Sequence, residues 1–425
     1  MNPRAASPPV SDQLTPTTAA RLTQSIAALR SARAAVAARS LSSRLAALDA
    51  VVEDWLRPDS PWMARAVERL PPATGFSAAM IRFALPALLE PLRAAPLERL
   101  VTEEAARGEA PALILHILPG NLPGLAAIPS ALSLAIGSAT LLKAGRGDRV
   151  FPLLWLSSLA AHDAELAAAA AAVYWPGGER DCEALALAAA DLVVAAGDDD
   201  SIAALAARAR ARFIGHGHRI SFAVVTAAAA ADPATVEGLA VDVATWDQRG
   251  CLSPQLGFIQ GDFDAACELG ARLSDALGRL AVALPPATMT IGERLAVRRW
   301  RDEAEWAGFG GERYVLFAQP DEGAGTVVVE PQAVFRPSPL GRSLRLLPIG
   351  GIEDLQSVLR PVRALLEGAG LAAGAGQYAD WESALVASGV HLVSRIGAMQ
   401  RPPLAWRQGG RPRLADWLVR GAGVG

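Results

Sequence analysis

The stretch TWDQRGCLSPQLGFIQGD, Thr245 to Asp262, gathers the reactive residue types of this chain most densely. Cys251 follows a glycine in a polar turn, with Ser253 and Pro254 behind it and an apolar run beyond. A thiol in a turn that opens onto a strand can face a cleft and attack a carbonyl carbon as thiolate. Its backbone N–H, with a nearby side-chain amide, could receive the oxyanion that forms. The competing reading is a small apolar residue filling a core, the commoner fate of a cysteine between glycine and leucine.

The remaining candidates are weaker. Cys182 and Cys267 lie in alanine-rich, helix-like stretches and suit a core. Three scattered cysteines form neither a disulfide framework nor a zinc site. His216 and His218 in IGHGHRIS lack Cys, Asp or Glu partners at ligand spacing, so no metal site is expected and a structural or substrate-lining role is favoured. Three turns that follow strand-like runs could present backbone N–H groups to phosphate: LPGNLPG, KAGRGDR and AAGDDDS. None fits the dinucleotide or Walker fingerprint. Lys143 and Arg146 could bind an adenosine ribose, Arg146 neutralising a 2′-phosphate; the alternative is a solvated basic turn. Asp198, Asp199 and Asp200 are expected to cap the next helix and would repel a pyrophosphate.

Positioning these groups requires a sizeable fold, and 425 residues exceed one ordinary core. Composition is globular, 52% hydrophobic and 20% charged, with formal net charge -3. That balance supplies no field for nucleic acid, and no aromatic-basic patch is present. With no signal-peptide pattern at the start, the expected compartment is the cytoplasm. Residues 111–142 carry one charge-free run up to Leu142, but Pro111, Pro119, Pro123, Pro129 and Asn121 divide it into strand, loop and helix rather than a membrane span.

The pattern divides the chain into a disordered tail (1–20), a helical segment (21–105), a cofactor domain (106–240), a catalytic domain (241–390) and a C-terminal return strand with an arm (391–425). Within 106–240, LILHILPG, ATLLKAG, AAVYWPGG, DLVVAAG and RISFAVVTA read as strands, with DDDSIAALAARARARF as a helix. Strands alternating with helices indicate a parallel sheet wound on both faces, and a second α/β unit begins near Val241.

DQRGCLSPQLGFIQGD resembles the nucleophile turn of the aldehyde dehydrogenase superfamily. More closely it is similar to the bioluminescence-type fatty acyl-CoA reductases, whose pattern Asp-x4-Asp-Gln-x2-Cys-x-Ser-Pro-Gln is matched by Asp242, Asp247, Gln248, Cys251, Ser253, Pro254 and Gln255. HILPGNLPGLAAIPS, LLKAG, VVAAGDDDSIAAL, GHGHRISFAVV and GVHLVSRIGAMQRPPLAWRQGG resemble further landmarks in the same order.

The resemblance implies a doubly wound cofactor domain beside a second α/β catalytic domain. Cys251 would be acylated, with Asn121 donating to the oxyanion. Lys143 and Arg146 would hold the adenosine end of NADPH (NADH being the alternative), and Gly197 and Ser201 would border the pyrophosphate. The expected partners are an acyl-CoA or other activated acyl group, an acyl-activating protein, and further copies of this chain through the C-terminal arm. Two departures stand out. IGHGHRI has no carboxylate where oxidising relatives carry the glutamate that activates the deacylating water, so acid release is disfavoured. Arg407-Gln408-Gly409 stands where many relatives have His-Asp-Gly. An aldehyde oxidiser releasing acid, and a non-catalytic acyl-holding component of a larger assembly, are the alternatives.

Overall fold

The structure, a computed structural model, describes residues 13–105 and 108–419. Five helices come first: Ala19–Ala38, Leu41–Leu56, Pro61–Thr74, Ala78–Leu89 and Ala94–Glu104. Thr18, Ser40, Ser60 and Ser77 each cap one by accepting from the N–H three residues on. Their apolar stripes, including Leu22, Leu48 and Trp55, share one core with Leu113, Leu141, Phe151 and Trp155 of the unit that follows.

That unit is a five-stranded parallel sheet of β1 (Leu113–Ile117), β2 (Ala139–Lys143), β3 (Ala170–Val173), β4 (Leu192–Ala196) and β5 (Arg212–His216), ordered β3-β2-β1-β4-β5. The direction of winding reverses beside β1, between β2 and β4, which opens a crevice at the carboxyl ends of those strands. The charge-free run becomes β1, a loop, helix Ala127–Ala135 and β2.

The second sheet comprises β6 (Ile220–Val225), β7 (Pro254–Gln260), β8 (Val315–Ala318), β9 (Thr326–Val329), β10 (Ser343–Ile349), β11 (Leu366–Ala372) and β12 (Leu392–Arg395). Its order is β12-β11-β6-β7-β10-β9-β8, parallel except for β8 against β9. Central strands β6 and β7 are buried almost throughout, as helices on both faces demand. Helices Pro233–Ala244 and Phe263–Ala283 cover one face, Ile352–Leu359 and Tyr378–Ala387 the other.

Four expectations change. The helix expected through Phe213 stops at Ala206, and Arg212–His216 becomes β5, because pairing with β4 outweighs the helical bias of the alanine-rich segment. β6 pairs with β7 and β11, so the boundary between sheets lies between His216 and Ile220, ahead of Val241. Helix Ile291–Phe309 and β11 arise where no element was anticipated. Of the tail expected over 1–20, residues 1–12 lie outside the described residues, while Leu14 and Thr17 donate backbone hydrogen bonds to Arg149 and Tyr174.

The C-terminal arm packs within its own chain: Val419 bridges Glu109, and Arg212 donates to the Leu418 carbonyl. Among the described residues no single helix is long and apolar enough to cross a membrane. One bent pair, Pro61–Thr74 with Ala78–Leu92, meets that length and composition, but Trp62, Leu70, Met80 and Ile81 on it are buried in the core.

Candidate active site

Helix Pro233–Ala244 delivers the chain into the cysteine turn, where Trp246, Asp247 and Gln248 adopt φ of 57°, 47° and 62°. Three consecutive left-handed residues without a glycine are each disfavoured by about 1–2 kcal/mol, so tertiary contacts must hold them. Trp246 is buried edge-on against Phe76, with ring centroids 5.2 Å apart. Asp247 accepts from Arg342 Nε at 2.6 Å and from the Ala287 N–H at 2.9 Å. Gln248 pairs with Ser343 like an added rung, Nε2 donating to its carbonyl at 2.7 Å and Oε1 accepting from its N–H at 2.7 Å. A second Nε2 bond reaches the Pro254 carbonyl at 2.8 Å. Cys251 is thereby set at the mouth of β7.

Asp242 serves the C-terminal arm: it accepts from the N–H groups of Gly397 at 2.6 Å and Met399 at 3.0 Å. Burial pushes its carboxyl up to about 7, against the pull of those two N–H groups. The native state therefore favours the protonated form more than the unfolded chain does. This contribution to stability is complete below about pH 4 and is lost as pH rises through about 7. Urea unfolding at pH 5.5 and 8.5 is expected to show the wild type weaker at the higher pH, with the difference reduced in Asp242→Asn.

The Cys251 carbonyl accepts from Ser221 Oγ at 2.7 Å, and Ser221 Oγ accepts from the Gly368 N–H at 3.0 Å. From the first sheet, Asn121 Nδ2 donates to the Arg249 carbonyl at 2.6 Å. Cys251 lines a cleft of about 30 Å³ with His216, Arg219, Glu367, Gly409 and Arg411. It keeps a solvent-facing edge, but the protein crowded around it displaces water. That desolvation, then the Glu367 charge, pushes the thiol up to about 12, with Arg413 opposing. The resting cysteine is a thiol at neutral pH. Burial raises the Glu367 carboxyl, although the Gly409 N–H, Arg219 and Arg413 pull the other way. Burial, helped by Arg413, Arg411 and Arg219, pushes His216 down to about 4, so its imidazole is neutral.

Asn121 and Cys251 therefore meet at one turn. Lys143 and Arg146 lie at the end of β2, Gly197 and Ser201 at the end of β4, flanking β1 at the carboxyl edge of the first sheet. Lys143 is half-buried, its ammonium 6.0 Å and 5.9 Å from the ring centres of Tyr174 and Trp175, and desolvation lowers its pKa. Arg146 is exposed, between glycines that touch the β1 loop: a Cβ on Gly145 would fall 2.3 Å from the Pro119 oxygen. Ser201 gives both its N–H and its hydroxyl to Asp198, each at 2.8 Å, and Asp199 accepts from the His218 N–H at 2.9 Å. The helix N-terminus is thus filled by its own carboxylates. A cationic, aromatic-lined strand end fits the ribose of a dinucleotide; the three aspartates do not fit its pyrophosphate. Among the described residues no cluster of His, Cys, Asp or Glu could hold a metal.

Glu367, Ser221 and Arg413 escape a reading of the sequence. The one available signal is a lone carboxylate inside the apolar run LLEGAGLA, a residue type rarely buried without a purpose. The buried pair Asp247–Arg342 joins residues 95 apart and leaves no local trace.

A doubly wound sheet beside a second α/β sheet, with a cysteine between them, is the architecture of the aldehyde dehydrogenase fold. A structural comparison agrees. Aldehyde dehydrogenase C of Pseudomonas syringae, solved with NAD+ and octanal, superposes with TM-score 0.69 at 17% identity, covering 91% of this chain and 85% of that one. The NADP-dependent glyceraldehyde-3-phosphate dehydrogenase of Bacillus halodurans, solved with NADP, gives 0.70 at 14%, covering 89% and 83%. Aldehyde dehydrogenase 21 of Physcomitrella patens, solved with succinate, gives 0.69 at 15%, covering 96% and 90%. No curated protein matches the sequence. The acyl-CoA reductase (LuxC) family matches residues 106–416, and the chain belongs to that family.

Proposed function

We propose that this protein reduces an acyl-CoA, or another activated acyl group, to the aldehyde with NADPH through an acyl thioester on Cys251. The observation that carries this reading is the braced turn that sets an accessible Cys251 beside Asn121, between two sheets. Cys251 attacks the thioester carbonyl, and its own N–H with the Asn121 amide receives the oxyanion. For that, Asn121 exchanges its bond to the Arg249 carbonyl for one to substrate. The thiolate of CoA leaves and the acyl group stays on sulfur. A nicotinamide cofactor held at its adenosine end by Lys143 and Arg146 would supply hydride to the acyl carbon. Collapse of the resulting alkoxide frees the aldehyde and restores the Cys251 sulfur.

Lys143 and Arg146 serve the adenosine ribose and its 2′-phosphate, with NADH as the weaker donor. The pyrophosphate is met elsewhere than at Gly197 and Ser201, whose neighbouring acids repel it. A cytoplasmic homo-oligomer, fed by an acid-activating partner, completes the proposal.

Purified protein mixed with a chain-length series of acyl-CoAs and NADPH is expected to consume the reduced-nicotinamide absorbance and release aldehyde. Failure with every acyl chain would sink the reading. Asn121→Ala is expected to lower the acylation rate by about 10²–10³-fold with little change in KM, because its amide acts on charge that develops only in the transition state. Stopped-flow release of CoA measures that step directly.

A further inference from the structure

The stretch IGHGHRI places no carboxylate at the cysteine, yet β11 brings one there. Glu367 is 1% exposed, and among the described residues it forms no ion pair. Both its oxygens lie on the Gly409 N–H, at 3.0 Å and 3.1 Å. A buried carboxylate held by one backbone donor is costly to keep charged. Its neighbour Gly368 donates to Ser221 Oγ, which donates in turn to the Cys251 carbonyl, so one hydroxyl separates the two backbones. Glu367 and Cys251 then line the same cleft of about 30 Å³. That volume admits a water that can relay a proton.

Resting on the reading that Cys251 is the acylated nucleophile, we infer that Glu367 is its proton partner, accepting the thiol proton during attack and returning it to the departing thiolate. As the Sγ–C bond forms, the Sγ–H bond breaks, its proton passes to a Glu367 oxygen, and the carbonyl π pair moves to the oxygen held by Asn121. When the tetrahedral species collapses, the C–S bond to the leaving thiol breaks and that sulfur takes the proton from Glu367. The cycle is neutral and needs no further reactant.

The groups around the pair fit this assignment. Arg219 and Arg413 face the carboxylate, and Arg411 lines the cleft. Their charges favour the carboxylate, while burial works the other way and raises its affinity for a proton. His391, just before β12, packs under Gly410, and burial and Arg219 lower its pKa. His216 shares the cleft, but at about 4 it is a poor acceptor.

The test uses the full chain as wild type, Glu367→Gln, Glu367→Asp and His216→Asn. Acylation of Cys251 by the S-acetyl and S-octanoyl thioesters of N-acetylcysteamine is followed by intact mass from pH 5.5 to 9. Glu367→Gln is expected to acylate about 100-fold more slowly or worse and to lose the acidic limb of the profile. Glu367→Asp should recover part of the rate and keep a limb, and His216→Asn should keep the acidic limb whatever its rate. In parallel, the pH midpoint of Cys251 alkylation by iodoacetamide is expected to fall by about one unit in Glu367→Gln, because the repelling carboxylate is gone. A glutamate whose charge does not reach the thiol would leave that midpoint unmoved, while the loss of the acidic limb reports the proton transfer itself.

Wild-type acylation in Glu367→Gln, or loss of the limb in His216→Asn instead, overturns the inference. Should Glu367→Gln fail to fold, Glu367→Asp decides: a wild-type rate without an acidic limb overturns it. If neither thioester acylates the wild type, the reductase reading fails, and an unmoved alkylation midpoint would then reject the Glu367 pairing separately.

Discussion

Cys251→Ala is expected to abolish aldehyde formation, by about 10⁴-fold or more, while leaving the fold intact. The reason is chemical, since among the described residues no other thiol lies at the mouth of β7. Cys182 is buried, and Cys267 lies on helix Phe263–Ala283, away from the cleft lining. The contacts of residue 251 that brace the turn run through its backbone carbonyl, which alanine keeps. Its thermal midpoint should therefore match that of the wild type. Single-turnover mass spectrometry should show an adduct in the wild type and none in the variant. Full activity in Cys251→Ala would reject covalent catalysis.

The second large effect lies in stability. Arg342→Ala is expected to destabilise the protein by about 3–5 kcal/mol, because it strands a buried Asp247 without its partner. Arg342 is fully buried; its Nε binds Asp247 and its Nη2 the Leu284 carbonyl at 2.8 Å. Asp247 also stands inside the left-handed run from Trp246 to Gln248, so losing its clamp releases the strained turn. Urea denaturation should show a lower midpoint. The double variant Arg342→Ala with Asp247→Ala should lose less than the sum of the singles, since neither charge is then left alone. Additive losses would mean that the ion pair does not hold the turn. Iodoacetamide labelling of Cys251 in Arg342→Ala, below its unfolding transition, reports whether the turn has loosened.

The element Leu113–Ile117, its loop and the strand Ala139–Lys143 were legible because their apolar runs are punctuated by proline and glycine. β5 was not: Arg212–His216 follows an alanine-rich helix, and only β4 beside it makes it a strand. The motif Asp242, Asp247, Gln248, Cys251 marked where chemistry resides. It could not tell that Asp242 fastens the arm, Asp247 meets Arg342, and Gln248 binds Ser343.

What the sequence by itself determined is therefore the local matter: a cysteine in a polar turn ahead of an apolar strand, an amide in the loop after β1, and an alternation of helices and strands that requires two sheets. Those features depend on neighbours within a few residues. Only the tertiary structure decided what surrounds the thiol. Glu367 lies 116 residues beyond Cys251 and Arg413 another 46, and they reach it because β11 pairs with β6 and the arm folds back over the sheet edge. Burial and charge at a site are sums over groups far apart in the chain, so no local stretch of residues contains them.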